Sequence, residues 1–293
     1  MINFTKYIWL YFLISGIVLC SGMYSMIRYG LRPSIDFVGG TLVELRVPAG
    51  VTVEDISAKA KNIGMDVGSV QRSGNATFLI RAKSETNEHI TALTQAIATG
   101  SGVTVLRHET VGPVLGKELL QKASVATALA ITVILLYVAY AFKNIKYGVS
   151  AIVALIHDVL VVIGMFSLFG HFYGVEVDTL FVTAVLTAMS FSVHDTIVVF
   201  DRIREYLRRD RSRPFEELIN VALTETMNRS VTNSFTIIFM LVALILMGGE
   251  SIRWFIVALL VGTISGTYSS PFIATPILYL WHRRELLKKK VSI

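Results

Sequence analysis

The stretch FSVHDTIVVFDRIRE, residues 191–205, joins an apolar run to a series of alternating acids and arginines. Its left half has the composition of a helix in lipid, yet it contains His194 and Asp195. A charged side chain at membrane depth costs on the order of a few kcal/mol, so such residues usually face protein or water and often carry function. The stretch therefore predicts a membrane-spanning helix that holds a polar pair and ends at the arginines.

The rest of the chain is equally apolar. Of its 293 residues, 53% are hydrophobic and 16% are charged, a composition typical of membrane proteins. Six runs are long enough to approach the roughly 20 apolar residues that cross a bilayer. We therefore predict a polytopic α-helical membrane protein with spans at about 7–27, 123–142, 147–170, 177–200, 230–247 and 254–281.

The first run is longer than the apolar part of a signal peptide, and no A-x-A cleavage site follows it. We expect it to be a retained span, with Cys20 packed inside it. A single cysteine allows no internal disulfide and disfavours a structural zinc site. The chain shows no H-E-x-x-H zinc motif and no G-x-S-x-G nucleophile motif, so we expect no cofactor and no hydrolytic site of these two kinds.

The short connections between spans differ in charge. Lys143 and Lys146 follow the second span, seven arginines lie in 201–229, and the tail 282–293 is basic. Because Lys and Arg accumulate in cytoplasmic loops, we expect both termini and these connections in the cytoplasm. Anionic lipid headgroups explain the arginines better than nucleic acid does.

Residues 28–121 form the one large soluble segment, which this orientation places outside the cytoplasm. Its patterns alternate as strand, helix, two strands, helix and strand, with Gly64 and Gly100 ending the helices. The order β-α-β-β-α-β is that of the split ferredoxin-like motif. We predict a small α+β domain here, followed by the spans and loops of 122–281. Such folds have many functions, so the fold alone decides none.

Two glycine-containing junctions flank this domain. The stretch PSIDFVGGT (33–41) precedes it and contains Asp36, Gly39 and Gly40, and VGPVLGKEL (111–119) follows it with Gly112 and Pro113. The paired glycines allow a sharp bend or a close backbone contact, and the proline ends the last strand. The second stretch lacks the spacing of a phosphate-binding loop, so ATP is not an evident energy source.

Helical geometry separates the two polar residues of the fourth span. His194 shares a stripe with Thr183, Thr187, Ser190 and Asp201 at spacings of three, four and seven. Asp195 is turned about 100° away, in line with Ala184 and Ala188. Small residues allow another helix to approach closely. We therefore expect Asp195 in a seam between helices, while His194 is open to a structural or a functional interpretation.

Further polar residues lie in three other spans. His157 and Asp158 are near the centre of the third span, and Arg229 begins the fifth on the same side as Asp195. An arginine there could reach the Asp195 carboxylate, and breaking that pair could load or unload a proton. The sixth span contributes small and hydroxyl-bearing residues, including Thr267. For Asp158, structure and transport remain equal alternatives at this point.

The motifs SIDFVGGTLVEL, VGPVLGKEL, ALIHDVLVVIG, SFSVHDTIVVFDRIRE, MNRSVTNS and VGTISGTYSSPFIATPILYLW occur in this order over nearly the whole chain. In this combination the chain closely resembles the SecF family of bacterial protein export, within the resistance-nodulation-division superfamily. The resemblance implies six spans and an extracytoplasmic ferredoxin-like domain. It also implies a non-enzymatic subunit that assembles with SecD and uses the proton-motive force late in translocation.

By this resemblance Asp195 matches an essential carboxylate of the family and Arg229 the arginine that acts with it. His157, Asp158, His194, Ser190 and Thr267 would form a supporting polar network. The implied partners are SecD, the SecYEG translocon, YajC and YidC as further subunits, translocating unfolded polypeptides and the lipid bilayer. The coupling ion is expected to be the proton, with sodium as an open alternative.

Two alternatives belong to other functional classes. A half-size exporter of small molecules would need a large ligand cleft in the soluble domain. A static clamp on the translocon would tolerate neutral residues at positions 158, 195 and 229 together.

Overall fold

The computed structural model describes residues 3–48, 50–72, 76–83, 85–98, 102–142, 144–210 and 212–291. The chain divides into two compact units. A helical unit comprises Met1–Leu31, Thr127–Val175 and Leu180–Ile293, and a soluble unit comprises Arg32–Ala126 and Glu176–Thr179.

The helices and strands are as follows, in chain order: a 3₁₀ turn (Phe4–Tyr7), α1 (Ile8–Tyr29), α2 (Ile35–Val38), β1 (Gly40–Arg46), α3 (Val53–Asn62), β2 (Val67–Arg72), β3 (Thr77–Ala82), α4 (Asn87–Ile97), β4 (Thr104–Val111), α5 (Pro113–Phe142), α6 (Ile145–Tyr173), α7 (Thr179–Arg209), α8 (Phe215–Met247), α9 (Glu250–Ser269), a π turn (Ser270–Ala274) and α10 (Thr275–Val291).

Among the described residues, six helical segments are long and apolar enough to cross a membrane, counting α9, the π turn and α10 as one segment. This confirms the predicted six-span helical class. Several helices extend well beyond the predicted apolar runs, because charged turns continue them past the lipid-like part of the sequence. The sequence alone did not show these extensions, since hydropathy marks only the apolar part of a helix.

The segment 201–229, expected as a cytoplasmic loop, is mostly helical and needs correction. Helix α7 continues to Arg209 and α8 begins at Phe215, so only 210–214 connects them. Ion pairs stabilise the two extensions, because Arg202 contacts Glu205 three residues along the same helix and Glu225 on the facing one. Opposite charges at this spacing support an exposed helix.

The π turn interrupts the last span. Pro271 lies in its first turn and has no N–H to donate, so the regular hydrogen-bond ladder cannot continue through it. The ladder widens here, and the Thr275 hydroxyl donates to the Ser270 carbonyl at 3.0 Å. Single π turns within helices are frequent at functional sites, and this one lies next to the buried polar groups described below.

The soluble unit has a four-stranded sheet in the order β2-β3-β1-β4, and every neighbouring pair is antiparallel. Helices α3 and α4 supply Ile56 and Leu93, which are fully buried with Val43, Leu45 and Ile80 of the sheet. The alternation of apolar and polar residues along β1 and β3 places these side chains on one face. The predicted β-α-β-β-α-β domain is thus confirmed.

The glycine junctions of the soluble unit pack against each other. Gly39 and Gly40 have positive φ angles of 77° and 139°, a conformation that strongly favours glycine. A Cβ atom at Gly116 would lie 2.8 Å from the Gly39 nitrogen, and one at Gly39 would lie 2.8 Å from the Pro113 Cα. The paired glycines therefore serve a close backbone contact with the start of α5, whose first residue is Pro113.

Candidate functional site

Asp158 lies at the centre of a buried polar cluster in the helical unit. Asp158 is only 4% exposed. The hydroxyls of Ser192 and Ser269 donate to Oδ2 at 2.5 and 2.6 Å, and the Ser265 hydroxyl donates to Oδ1 at 2.6 Å. The His157 ring contributes Nδ1 at 3.0 Å from Oδ1. The Asp158 carboxylate thus has four hydrogen-bonding partners.

These partners come from three helices that approach closely. Ser192 is on α7, and Ser265 and Ser269 are on α9. A Cβ atom at Gly262 would lie 2.3 Å from the Ala188 Cβ, and one at Gly266 would lie 3.0 Å from the Ser192 Cβ. The glycines of α9 therefore bring its backbone against α7, as small residues do between membrane helices.

The geometry of the cluster suits an ionised carboxylate. A carboxylate only accepts hydrogen bonds, whereas a protonated carboxyl must also donate one. With Nδ1 as the donor, the other ring nitrogen of His157, Nε2, is buried and has no hydrogen-bond partner among the described residues. The ring lies beside Tyr268, with centroids 6.2 Å apart.

Asp195 has different surroundings, although it follows a histidine in the same way. Its side chain is half-buried on α7. The Ser230 hydroxyl of α8 is its hydrogen-bonding neighbour, and the adjacent His194 interacts with it electrostatically. Arg229 makes no ion pair with Asp195 among the interactions of the described residues, and its own side chain is exposed. The Asp195 carboxyl is thus partly desolvated without a paired cation.

Hydroxyl pairs link the helices around the two carboxyl groups. Thr196, next to Asp195, bonds Ser270 of the π turn at 2.9 Å. Thr267 of α9 bonds Ser234 of α8 at 2.6 Å. Both are short bonds in a segment where water is scarce, so they hold the backbones of these helices in register. Thr267 therefore contacts α8 and is not a direct partner of Asp158 or Asp195.

The polar stripe predicted for α7 faces the surface of this chain. Thr183, Ser190, His194 and Asp201 are exposed and Thr187 is half-buried. The structure thus separates His194 and Ser190 from the buried cluster that contains His157 and Asp158.

Arg229 lines a polar cleft between the ends of α7 and α8. The cleft has a volume of about 1020 Å³ and reaches Val198, which is one helical turn beyond Asp195. The other lining residues are Asp201, Arg202, Arg204, Glu205, Arg208, Arg209, Glu225 and Thr226. The cleft provides a charged surface close to the Asp195 turn of α7.

The sequence interpretation did not identify Ser192 or Ser230 as contacts of the two aspartates. Ser192 precedes Asp195 by three residues and faces the third span instead of the fifth. The sequence contained one indication of this contact, because Ser192 continues the line of small residues that Ala184 and Ala188 form on one face of the helix. Within the described part of the chain, no three His, Cys, Asp or Glu side chains gather as a metal site would require.

Comparisons with known proteins add to this geometry. Residues 91–284 match the family described as protein export membrane protein SecD/SecF, C-terminal, and residues 24–47 match the SecD/SecF GG motif. A protein translocase subunit SecF from Thermobaculum terrenum is 38% identical over 98% of this chain and 96% of its own. The chain belongs to the SecF family.

Other SecF relatives are similarly close. The subunit from Anaerolinea thermophila is 39% identical over 97% of this chain and 96% of its own length. The crystal structure of SecDF from Thermus thermophilus, a translocon-associated membrane protein, superposes with a TM-score of 0.87 at 33% identity. The match covers 96% of this chain and 39% of that longer chain.

The GG motif of this SecF-family chain contains Asp36 as well as the two glycines. Oδ2 of Asp36 accepts hydrogen bonds from the backbone N–H of Thr179 at 3.2 Å and from its hydroxyl at 2.9 Å. Thr179 is the first residue of α7. The motif therefore contains both the glycines of the close backbone contact and the carboxylate that binds the first residue of α7, the helix on which Asp195 lies.

Proposed function

We propose that this chain is the SecF subunit of a SecD–SecF complex in the bacterial inner membrane, where it assists protein export without enzymatic activity. The complex would use the proton-motive force to pull or release polypeptides late in their passage through SecYEG. The relatives from Thermus thermophilus and Bacillus subtilis are named protein translocase subunit SecDF. Those names support SecD as the partner, and they favour protein translocation over export of small molecules.

The observation that carries the proposal is the state of Asp195. Its carboxyl is half-buried, has a hydroxyl neighbour in Ser230, and makes no ion pair with a Lys or Arg among the described residues. Such a group can take up and release a proton without breaking a saturated cluster. Intramembrane carboxyl groups of this kind mark proton relays. Asp158 already has four hydrogen-bonding partners from three helices, so it fits a supporting role.

Arg229 is the proposed partner of Asp195 in the cycle. An ionised Asp195 attracts the guanidinium from the cleft toward α7, and protonation removes that attraction. The two states would differ in the packing of α7 against α8. One elementary charge that crosses the membrane field provides about 2.3 kcal/mol per 100 mV. Repeated cycles could therefore drive the movement of a domain.

Reconstitution tests this function directly. The full chain and SecD are placed with the translocon in proteoliposomes, and export is measured with and without an imposed proton gradient. Asp195→Asn should abolish the gradient-dependent part of export while the variant still assembles with SecD. Asp210→Asn, which removes the same charge beyond the end of α7, is the matched control. Full gradient-dependent export by Asp195→Asn at normal protein levels would refute the proposal.

A static clamp on the translocon is the second candidate. The Asp158 cluster favours it, because four hydrogen bonds that join three helices make a rigid scaffold. A clamp predicts no proton flux with or without SecD, and normal export when positions 195 and 229 are both neutral. The proton-driven function predicts flux that needs Asp195 and the SecD partner.

A further inference from the structure

The four residues before and at the start of α7, Glu176–Thr179, belong to the soluble unit. The N–H of Val177 donates to the Arg32 carbonyl at 2.8 Å, and the N–H of Ser34 donates to the Val177 carbonyl at 2.9 Å. Pro33 and Val177 thereby form a parallel β-bridge. We refer to Glu176–Thr179 as the lead-in segment, since it leads the chain into α7.

A largely buried ion pair connects the lead-in segment to the sheet. Nε of Arg81, on β3, lies 2.6 Å from Oε2 of Glu176, and the two side chains are only 17% and 15% exposed. Burial raises the pKa of Glu176, although Arg81 and Arg32 oppose the rise and Asp178 adds to it. Removing one partner of a shielded pair leaves the other charge desolvated, which is costly. The pair therefore fixes the lead-in segment more firmly than a surface pair would.

The third attachment is at the first residue of the helix itself. Asp36 accepts both the N–H and the hydroxyl of Thr179. A carboxylate at a helix N-terminus satisfies an otherwise free N–H and interacts favourably with the helix dipole. Asp36 is held in turn by α2, where its own N–H donates to the Ser34 hydroxyl at 3.2 Å.

We propose that the lead-in segment is the mechanical link through which movement of α7 reaches the soluble domain, with Asp36, Arg81 and Glu176 as its positioning residues. Helix α7 continues unbroken from Thr179 past Asp195 to Arg209. At 1.5 Å per residue, Asp195 is about 24 Å along the helix from Thr179. A displacement of α7 would thus move the lead-in segment and, through it, β3 and the GG motif. This inference rests on the proposed function of Asp195.

A merely structural role predicts a different result from a mechanical one. If the ion pair only stabilises the fold, its loss lowers the amount of protein, and proton uptake falls together with export. If it transmits movement, the membrane part still takes up protons while the soluble domain no longer responds. Measuring proton uptake and export on the same proteoliposomes separates the two roles.

The experiment uses the full chain with SecD and the translocon. Arg81→Glu and Glu176→Arg are made singly and together, and Lys83→Glu is the matched control. Lys83 directly follows the same strand and pairs with Asp66 at 2.5 Å, but those side chains are 83% and 63% exposed. Each single variant should lower gradient-dependent export by about fivefold or more, the lower end of usual coupling effects. Proton uptake should remain, and the double variant should recover most of the export.

Wild-type export by both single variants at normal protein levels would overturn the inference. It would also be overturned if proton uptake fell in parallel with export, or if the double variant recovered nothing. Where a single variant accumulates poorly, Arg81→Gln and Glu176→Gln replace it under the same criteria. Asp195→Asn reports separately on the proposed function, because it should lose proton uptake itself. The single-to-double comparison judges the lead-in segment whatever the result for Asp195.

Discussion

The helical unit contains the His-Asp dipeptide twice, at His157-Asp158 and at His194-Asp195, and the two copies have opposite surroundings. Asp158 is buried and has four hydrogen-bonding partners from its own helix, α7 and α9. Asp195 is half-buried, with Ser230 as its hydroxyl neighbour, and within the described part of the chain no Lys or Arg forms an ion pair with it.

The difference shows that the same dipeptide can have two roles in one helical bundle, depending on its surroundings. A carboxylate that accepts hydrogen bonds from several helices holds those helices together. A carboxyl with few partners at an edge of the packed face can change its charge and, with it, the packing. Burial alone does not identify the functional residue; the number of donors must be counted as well.

The largest expected effect comes from removing the Asp158 carboxylate at the centre of its cluster. Asp158→Ala leaves three hydroxyls without their acceptor and should lower the free energy of unfolding by about 2–4 kcal/mol. Thermal unfolding of the purified chain in detergent measures the loss. Asp195→Ala is the comparison variant and should unfold close to the wild-type temperature. Equal destabilisation by the two variants would remove the distinction between the two sites.

A smaller effect is expected from widening the helix contact that supports the cluster. Gly262→Ala places a methyl group 2.3 Å from the Ala188 Cβ, so α7 and α9 must separate. Overpacking of this kind costs about 1–3 kcal/mol. Gly148→Ala on α6 is the matched control, because a Cβ there meets no atom within 4 Å. Unfolding temperatures that fall equally in both variants would show that the contact is not tight.

Much of the fold followed from simple sequence patterns. Apolar runs predicted the six spans, and alternating residues predicted the β-α-β-β-α-β order. Of the two glycines expected to end helices, Gly64 follows α3, and Gly100 lies outside the described residues. Helix lengths did not follow, since the charged ends of α7 and α8 are stabilised by contacts such as Arg202 with Glu225. These cross from one helix to another and have no signal within either segment.

The candidate site was only partly predictable for the same reason. Helical phase separated His194 from Asp195, because both are on one helix. It did not show which of Asp158 and Asp195 would be saturated with donors, since Ser192, Ser265 and Ser269 come from distant positions. It also did not show that Arg229 would lie in a cleft apart from Asp195, because side-chain direction depends on the facing helix.

The smallest expected effect concerns Asp55, an exposed carboxylate in the soluble unit. The N–H and the hydroxyl of Thr52 bond Asp55 at 3.0 and 2.9 Å, and this lowers the pKa of Asp55. A lowered pKa adds stability above the ordinary carboxyl pKa of about 4, and that stability disappears as the pH falls through the lowered value. Thr52→Ala should therefore reduce the unfolding temperature slightly at neutral pH, and the difference from wild type should shrink in acid.

Thr86 provides the control for this variant. It occupies the same position before α4, but its side chain makes no capping hydrogen bond. Thr86→Ala should leave the unfolding temperature unchanged at either pH. A Thr52 effect that grew as the pH fell would contradict the assignment of Asp55.

The most direct test of the central claim is to observe which carboxyl changes its protonation. Infrared difference spectra of the full chain with SecD, recorded between alkaline and acidic buffer, show the C=O stretch of any carboxyl that takes up a proton inside the membrane. The account predicts a band that disappears in Asp195→Asn and persists in Asp158→Asn. A band that persists in Asp195→Asn and disappears in Asp158→Asn would contradict it.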